Sequence, residues 1–244
     1  MNRFYYDLHL HSCLSPCGDA DNTPNNIAGM AALSGLDIVA LTDHNTCKNC
    51  PAFFEAAEKN GIIPIAGMEL TTSEDIHVVC LFEKLSDAMN FDAYISDHIM
   101  RIKNRPEIFG EQLILNGEDE IIGSVDGLLT VATDISIEDA PEVVKGFRGV
   151  CYPAHIDRSS NGIIAVLGTL PPTPEFKTVE LRFKESFTEY NERYGIGNCT
   201  VVYSSDAHYL TDIEDAKSFF DLDAEKNDPN EVRQRLLKIL GGRL

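Results

Sequence analysis

The chain of 244 residues has no apolar run long enough to cross a bilayer, and its N-terminus lacks the basic and apolar regions of a secretory signal. Both absences lead us to expect a cytoplasmic protein with no membrane partner. Positive charge is scarce: 20 Lys and Arg stand against 39 Asp and Glu, a formal net charge of −19. Binding to duplex nucleic acid depends on Lys and Arg neutralising many phosphates, so this balance predicts no such partner. An anionic substrate would then need positive charge at the site itself, and bound metal ions are one source. A disulfide framework is also missing, because seven cysteines are an odd number in a chain without a secretion signal and suit a reducing compartment. No internal repeat or low-complexity segment is visible.

What is present is an ordinary globular composition, 43% hydrophobic and 24% charged. A chain of this length buries roughly 70–75% of its unfolded surface without needing a staple. The apolar run Phe4-Tyr5-Tyr6 leads into Asp7-Leu8-His9-Leu10-His11. Strand side chains alternate between faces, which places Asp7, His9 and His11 together. Thr23-Pro24 opens a helix that runs to about Ser34 and stops at Gly35. A buried strand from Asp37 to Thr42 delivers Asp43-His44-Asn45, a helix runs from Pro51 to Asn60, and a strand from Ile62 to Met68 delivers Glu69. This β-α repetition predicts an α/β fold in which parallel strands bring their C-terminal ends to one face.

The link from Glu69 to the next strand, Ile76 to Phe82, is too short for a crossover. That strand should return antiparallel and bring His77 beside Glu69. A helix from Asp87 to about Lys103 follows, then a hairpin-like pair of runs around Asn116-Gly117, read as a small insertion over about 106–136 of one 1–244 domain. A helix from Ile137 to Lys145 and a strand from Gly149 to Pro153 lead to His155. A Gly/Pro/Ser-rich loop from Ser159 to Pro174 suits a lid. The strand Val179 to Phe183, the helix Glu185 to Tyr194 and the strand Cys199 to Tyr203 lead to Asp206 and His208, and a helix from Asn230 to Leu240 is expected on the barrel's exterior. One histidine at a strand end is weak evidence of a ligand; five segments ending in His, Asp or Glu are hard to attribute to core packing. His98 lies within a helix without a partner motif and is set aside.

The set D-L-H-L-H-S, S-P-C-G-D-A-D-N-T-P, L-T-D-H-N, G-M-E, I-H-V-V, P-A-H and S-S-D-A-H resembles the PHP (polymerase and histidinol phosphatase) family, in that family's order from residue 4 to residue 208. The resemblance implies a distorted (β/α)7 TIM-like barrel, two or three clustered zinc, manganese or iron ions, and phosphoester hydrolysis. It places one metal on His9, His11, Glu69 and Asp206, and a second on bridging Glu69 with His77 and His155. A third would use His44, His208 and an acid of the first loop, Asp19 by its spacing from Thr23-Pro24, with Asp21 as a substitute. Asp7 and Asp43 are the expected catalytic-site carboxylates beside ligating histidines. Arg158 and Arg182 are candidates for phosphate contacts.

Mixed imidazole and carboxylate ligands suit zinc, manganese or iron better than magnesium or calcium. Clustered metals would lower the pKa of a bridging water to yield hydroxide near neutral pH. Hydrolysis of a small phosphomonoester is the leading expectation. A phosphodiesterase or nuclease acting on short single strands, and a metal-binding scaffold without turnover, are the alternatives. The cysteines add a separate expectation. Cys13 and Cys17 in the first strand-helix loop, with Cys47 and Cys50 in the second, would meet as a four-thiol metal site if those loops are neighbours.

Overall fold

The computed structural model describes residues 1–242. Strand β1 (Asn2–Leu10), helix α1 (Pro24–Leu33), β2 (Ile38–Leu41), α2 (Cys50–Lys59) and β3 (Ile63–Thr71) alternate, with the three strands parallel. Thr23 caps α1 by accepting the Asn26 N–H, and Pro24 opens its first turn. Strand β4 (His77–Phe82) returns antiparallel to β3 and pairs His77 with Thr71, two residues beyond Glu69. The expectation for that short link is met.

Helix α3 (Leu85–His98) ends five residues before the expected Lys103. From Ile99 the chain is extended, and backbone bridges Ile99↔Thr133 and Lys103↔Gly127 take the pairing a helix would have used. A short helix α4 (Pro106–Phe109) and the antiparallel pair β5 (Leu113–Leu115) and β6 (Ile121–Ser124) follow. Helix α5 (Ala140–Gly146) leads into β7 (Gly149–Pro153), antiparallel to β4, and helix α6 (Ile163–Leu167) lies in the stretch expected to be loop. Strand β8 (Thr178–Leu181), helix α7 (Phe187–Tyr194) and β9 (Thr200–Tyr203) complete the alternation, with β8 and β9 parallel. Strand β10 (Phe219–Leu222), absent from the sequence expectation, adds antiparallel to β1, and α8 (Pro229–Leu240) comes last. No helix of the described residues is long and apolar enough to cross a membrane.

Seven strands, β1, β2, β3, β4, β7, β8 and β9, curl around one interior, the distorted TIM-like barrel. The Ile156 N–H donates to the Glu180 carbonyl at 2.9 Å to join β7 to β8, and the His11 N–H donates to the Ala207 carbonyl at 3.0 Å to join β9 to β1. Phe4, Tyr6, Leu8, Ile38, Ile65, Leu81, Tyr152 and Val202 fill the interior, while Leu41, Met68 and Val39 face the helices through Ile27, Phe53 and Phe91. Helix α8 corrects an expectation. Its Val232, Leu236, Leu237 and Leu240 pack with the interior residues, and its Leu240 carbonyl accepts from Thr178 at the start of β8. The helix therefore stoppers the end of the barrel opposite the histidines instead of lying on the outside.

Strand β1 also departs from strict alternation. Asp7 pairs with Val39 and Leu10 with Leu41, so three steps along β1 match two along β2, a β-bulge. Phe4, Tyr6 and Leu8 point inward below it, and His9 and His11 point inward above it. Asp7, with the opposite parity, does not share their face.

Candidate metal centre

The histidines converge on one carboxylate. Glu69, fully buried at the end of β3, places Oε1 2.7 Å from His77 Nδ1, 3.0 Å from His155 Nε2 and 3.3 Å from His9 Nε2. Its Oε2 lies 3.0 Å from His44 Nδ1 and 3.2 Å from His11 Nε2. Asp206 Oδ1 lies 3.5 Å from His9 Nε2 and 3.3 Å from His11 Nε2. His155 and Asp206 reach inward from left-handed backbone, with φ of 27° and 50°, and Asn45 beside His44 has φ 50°. Such strain persists only where surrounding structure fixes it, and three instances at one rim of the barrel mark that rim.

Three groups place ligand atoms within 4.8 Å of one another: His9, His11, Glu69 and Asp206; His44, Glu69 and His77; and His11, His44 and His208. The first matches the expected set. His44 stands where His155 was expected in the second, although His155 also contacts Glu69. Asp19 is in none of these groups, since its Oδ1 accepts the Asp21 N–H at 2.9 Å.

The donors fit divalent metal. His9 Nε2 and His11 Nε2 face each other at 3.2 Å, and with Nδ1 of His9 donating to Glu180 and Nδ1 of His11 donating to Ser15, both Nε2 lone pairs are open to a cation. Buried Glu69 Oε2, His44 Nδ1, His77 Nδ1 and Asp206 Oδ1 have no hydrogen-bond partner. In the protein alone the electrostatics are polarised. Burial works to raise Glu69, but the rings of His77, His9 and His44 hold it well below the usual carboxylate range. Burial works to lower His11 and His44, yet neighbouring carboxylates lift both to about 9. Burial, joined by the nearby His11 ring, depresses His208 to about 3.

Around this core the sequence assigned some partners correctly in kind but not in person. Asp43 accepts the Ser12 N–H at 2.7 Å, the Ser12 hydroxyl at 2.7 Å and the Ser15 hydroxyl at 2.8 Å, while Ser15 Oγ lies 3.0 Å from His11 Nδ1. It therefore orients His11 through Ser15. Asp7 accepts the His9 and Ser205 backbone N–H groups, at 3.2 and 3.1 Å, and not an imidazole. The carboxylate on the His9 ring is Glu180, missed by sequence reasoning, with Oε1 2.9 Å from Nδ1. The available signal was one acid inside the apolar strand Val179-Glu180-Leu181. Arg158 Nη1 donates to Asp206 Oδ2 at 2.7 Å, and Arg182 Nη1 reaches the Ser204 carbonyl at 3.4 Å. Both arginines line a cleft of about 470 Å³ with Asp206 and His208.

The four-thiol site is corrected. Among the described residues no metal-competent group contains a cysteine. Cys47 and Cys50 turn into the core and donate to the Gly67 carbonyl, Cys13 is buried with its thiol pushed up to about 12 by desolvation, and Cys17 alone of the four is exposed. The short turn into α2 buries its thiols in the core cluster with residues of β2 and β3.

Fold and site together give a TIM-like barrel with a cluster of metal-competent side chains at one rim. The PHP domain model matches residues 7–157, and the chain belongs to the PHP family, whose members are metal-dependent hydrolases. Among curated relatives, the DNA polymerase III PolC-type of Bacillus subtilis (strain 168) is 28% identical over 158 residues, 58% of this chain and 11% of that protein. The 5'-3' exoribonuclease of Haemophilus influenzae is 33% identical over 135 residues, 52% of this chain and 47% of that protein. The chain thus matches about a tenth of the polymerase and about half of the exoribonuclease. In fold it resembles the lesion-specific endonuclease Q of Pyrococcus furiosus, with TM-score 0.66, 17% identity, and 99% and 56% of the two chains covered. Endonuclease Q in complex with a 27-mer duplex bearing an abasic lesion at the active site aligns with TM-score 0.62 and 16% identity over 99% and 57% of the chains.

These likenesses overturn the expected partners, a small phosphorylated substrate and no duplex nucleic acid. A protein of this fold holds duplex DNA at its active site. Net charge averages over the whole surface, whereas a phosphate responds to the local field of the cleft, so −19 carries no exclusion.

Proposed function

We propose that this protein is a metal-dependent phosphoesterase that hydrolyses phosphodiester bonds of nucleic-acid strands. The observation that carries the reading is the cleft above the Glu69 cluster. Arg158 and Arg182 stand on it beside Phe183, 59% exposed, and Tyr209, 53% exposed. Guanidinium groups suit phosphate, and exposed aromatic faces suit stacked bases; a small phosphomonoester would leave the aromatics without a partner. The names of the exoribonuclease and polymerase relatives support the same substrate class.

Divalent metals bound by His9, His11, His44, Glu69, His77, His155, Asp206 and His208 would supply an activated water near neutral pH and neutralise charge developing on the phosphate. The chain's own residues prepare that chemistry. Glu180 holds the His9 ring with Nε2 toward Glu69, and Asp43 does the same for His11 through Ser15. Zinc, manganese and iron are the candidate ions from these donor types.

The test is cleavage of end-labelled single-stranded and duplex DNA and RNA oligonucleotides, with zinc, manganese or iron, by wild type and His9→Ala. Metal-dependent cleavage abolished in the variant is expected. Hydrolysis of phosphomonoesters with intact oligonucleotides under every condition would overturn the substrate class, and metal binding without hydrolysis of any ester would favour a scaffold.

A further inference from the structure

A groove of about 380 Å³ runs along the insertion and reaches the rim of the barrel that carries the histidines. Asn45 joins the two. It follows His44, its backbone N–H donates to the Glu69 carbonyl at 2.9 Å, and its side-chain amide donates at 2.7 Å to the carbonyl of Leu129, which lines the groove. On the other side His208 lines the cleft of Arg158 and Arg182, with its ring centroid 6.1 Å from that of His44. The group of His11, His44 and His208 therefore lies between the cleft and the groove.

The groove combines apolar surface with free positive charge. Leu128 and Leu129 are its buried residues, and Met100 and Ile102 expose their side chains beside them. Lys48, Arg101 and Lys103 line it against one acid among the described residues, Asp126, in a chain where acids outnumber Lys and Arg by 39 to 20. Lys48 is held by Asp92 at 2.7 Å, whereas Arg101 and Lys103 are exposed and make no ion pair among the described residues. The strip that carries them is fastened down. The Met100 N–H donates to the Ala132 carbonyl at 3.1 Å, the Leu128 N–H to the Ile102 carbonyl at 2.7 Å and the Asn104 N–H to the Asp126 carbonyl at 2.8 Å. An anionic partner thus meets a preformed edge and does not have to order a loop.

Such a surface suits a partner that alternates negative charge with flat apolar faces, as a nucleic-acid strand does. An acidic peptide would bring the charge without the faces. We propose that the groove holds the strand on the far side of the scissile phosphodiester from the Arg158 and Arg182 cleft, with phosphates on Arg101 and Lys103 and unpaired bases on Met100 and Ile102. The assignment rests on the nucleic-acid reading above and extends it: the substrate spans cleft and groove across the metal centre, whereas a trinucleotide fills little beyond the cleft.

The experiment measures, by fluorescence anisotropy over a salt series, the affinity of manganese-loaded protein for a labelled trinucleotide and dodecanucleotide. The strands are phosphorothioate-linked, which keeps their charge and resists hydrolysis, and both DNA and RNA are used. Wild type is compared with the double variant Arg101→Ala, Lys103→Ala and with Lys145→Ala, Lys238→Ala, an equal change of net charge at the opposite end of the barrel. Wild type should prefer the dodecanucleotide. The first double variant should bind it about tenfold more weakly, with a salt slope smaller by about 1.4, the loss of two phosphate contacts, and should bind the trinucleotide as wild type does. The second should match wild type on both. Wild-type affinity for the dodecanucleotide in the first double variant, an equal loss on both lengths, or the same loss in the second double variant would overturn the groove assignment. A wild type that binds neither length overturns the nucleic-acid reading, and the groove with it.

Discussion

Glu180 Oε1 lies 2.9 Å from His9 Nδ1 and accepts the His155 backbone N–H at 3.0 Å, so one buried carboxylate from β8 braces the ends of β1 and β7. Its position sets the tautomer of His9: with Nδ1 donating to Glu180, Nε2 is left with its lone pair toward Glu69 and Asp206.

Replacing this brace should cost metal affinity more than stability. Glu180→Ala is expected to weaken the tightest metal by about 10–100-fold, measured by competition against a chelating dye. An affinity equal to wild type would show that packing alone orients His9.

Asp43 satisfies three donors of the first loop, two hydroxyls and one backbone N–H. Removing it leaves them buried without a partner, at a cost of about 1–3 kcal/mol. Urea unfolding of Asp43→Ala should show an unfolding free energy lowered by that amount, and an unchanged value would mean that the loop re-pairs locally.

The stopper helix can be tested separately from the metal centre. Leu236 is fully buried in the barrel interior, and Leu236→Ala should destabilise the fold by about 2–5 kcal/mol. Metal stoichiometry should stay at the wild-type value in the folded variant, because the helix closes the opposite end. Loss of metal in protein that remains folded would contradict that separation.

Asp87 and Arg148 give a pH dependence independent of the histidines. Arg148 donates to both Asp87 oxygens and holds that carboxyl below its ordinary 3.8. A folded pKa below the unfolded one contributes stability that is present above pH 3.8 and is lost as pH falls through the folded value. Thermal unfolding should therefore find Asp87→Asn less stable than wild type at pH 7, with the difference shrinking below pH 3.8. A constant difference at both pH values would remove the pair from the account.

The barrel and the clustered side chains at its rim were legible because strand ends repeat a simple chemistry: His9, His11, His44, Glu69, His155, Asp206 and His208 lie at or just past the ends of apolar strands, and His77 was placed by the short link that makes its strand antiparallel. Glu180 was not, since a lone acid in a short strand carries no partner in sequence. Strand β10 was hidden in Phe219-Phe220-Asp221-Leu222, which has neither a turn signal nor clean alternation. Helix α8 was expected as a helix, but a run of residues from Asn230 to Leu240 does not state which apolar surface it covers. The C-terminal boundary of α3 was missed because the pairing of Ile99 to Thr133 is made across 34 residues, beyond any local signal.

The bulge in β1 gives the strand two phases. Below it, even-numbered residues build the hydrophobic plug; above it, odd-numbered residues supply imidazoles. Deleting Leu8 would put Phe4, Tyr6, His9 and His11 in one inward phase, whereas deleting Leu10 would set His9 and His11 on opposite faces. Length in this stretch is therefore as constrained as identity. A scan of single-residue deletions along β1 should find metal binding lost on deletion of Leu10 and best retained on deletion of Leu8, and the reverse order would remove the bulge from the account.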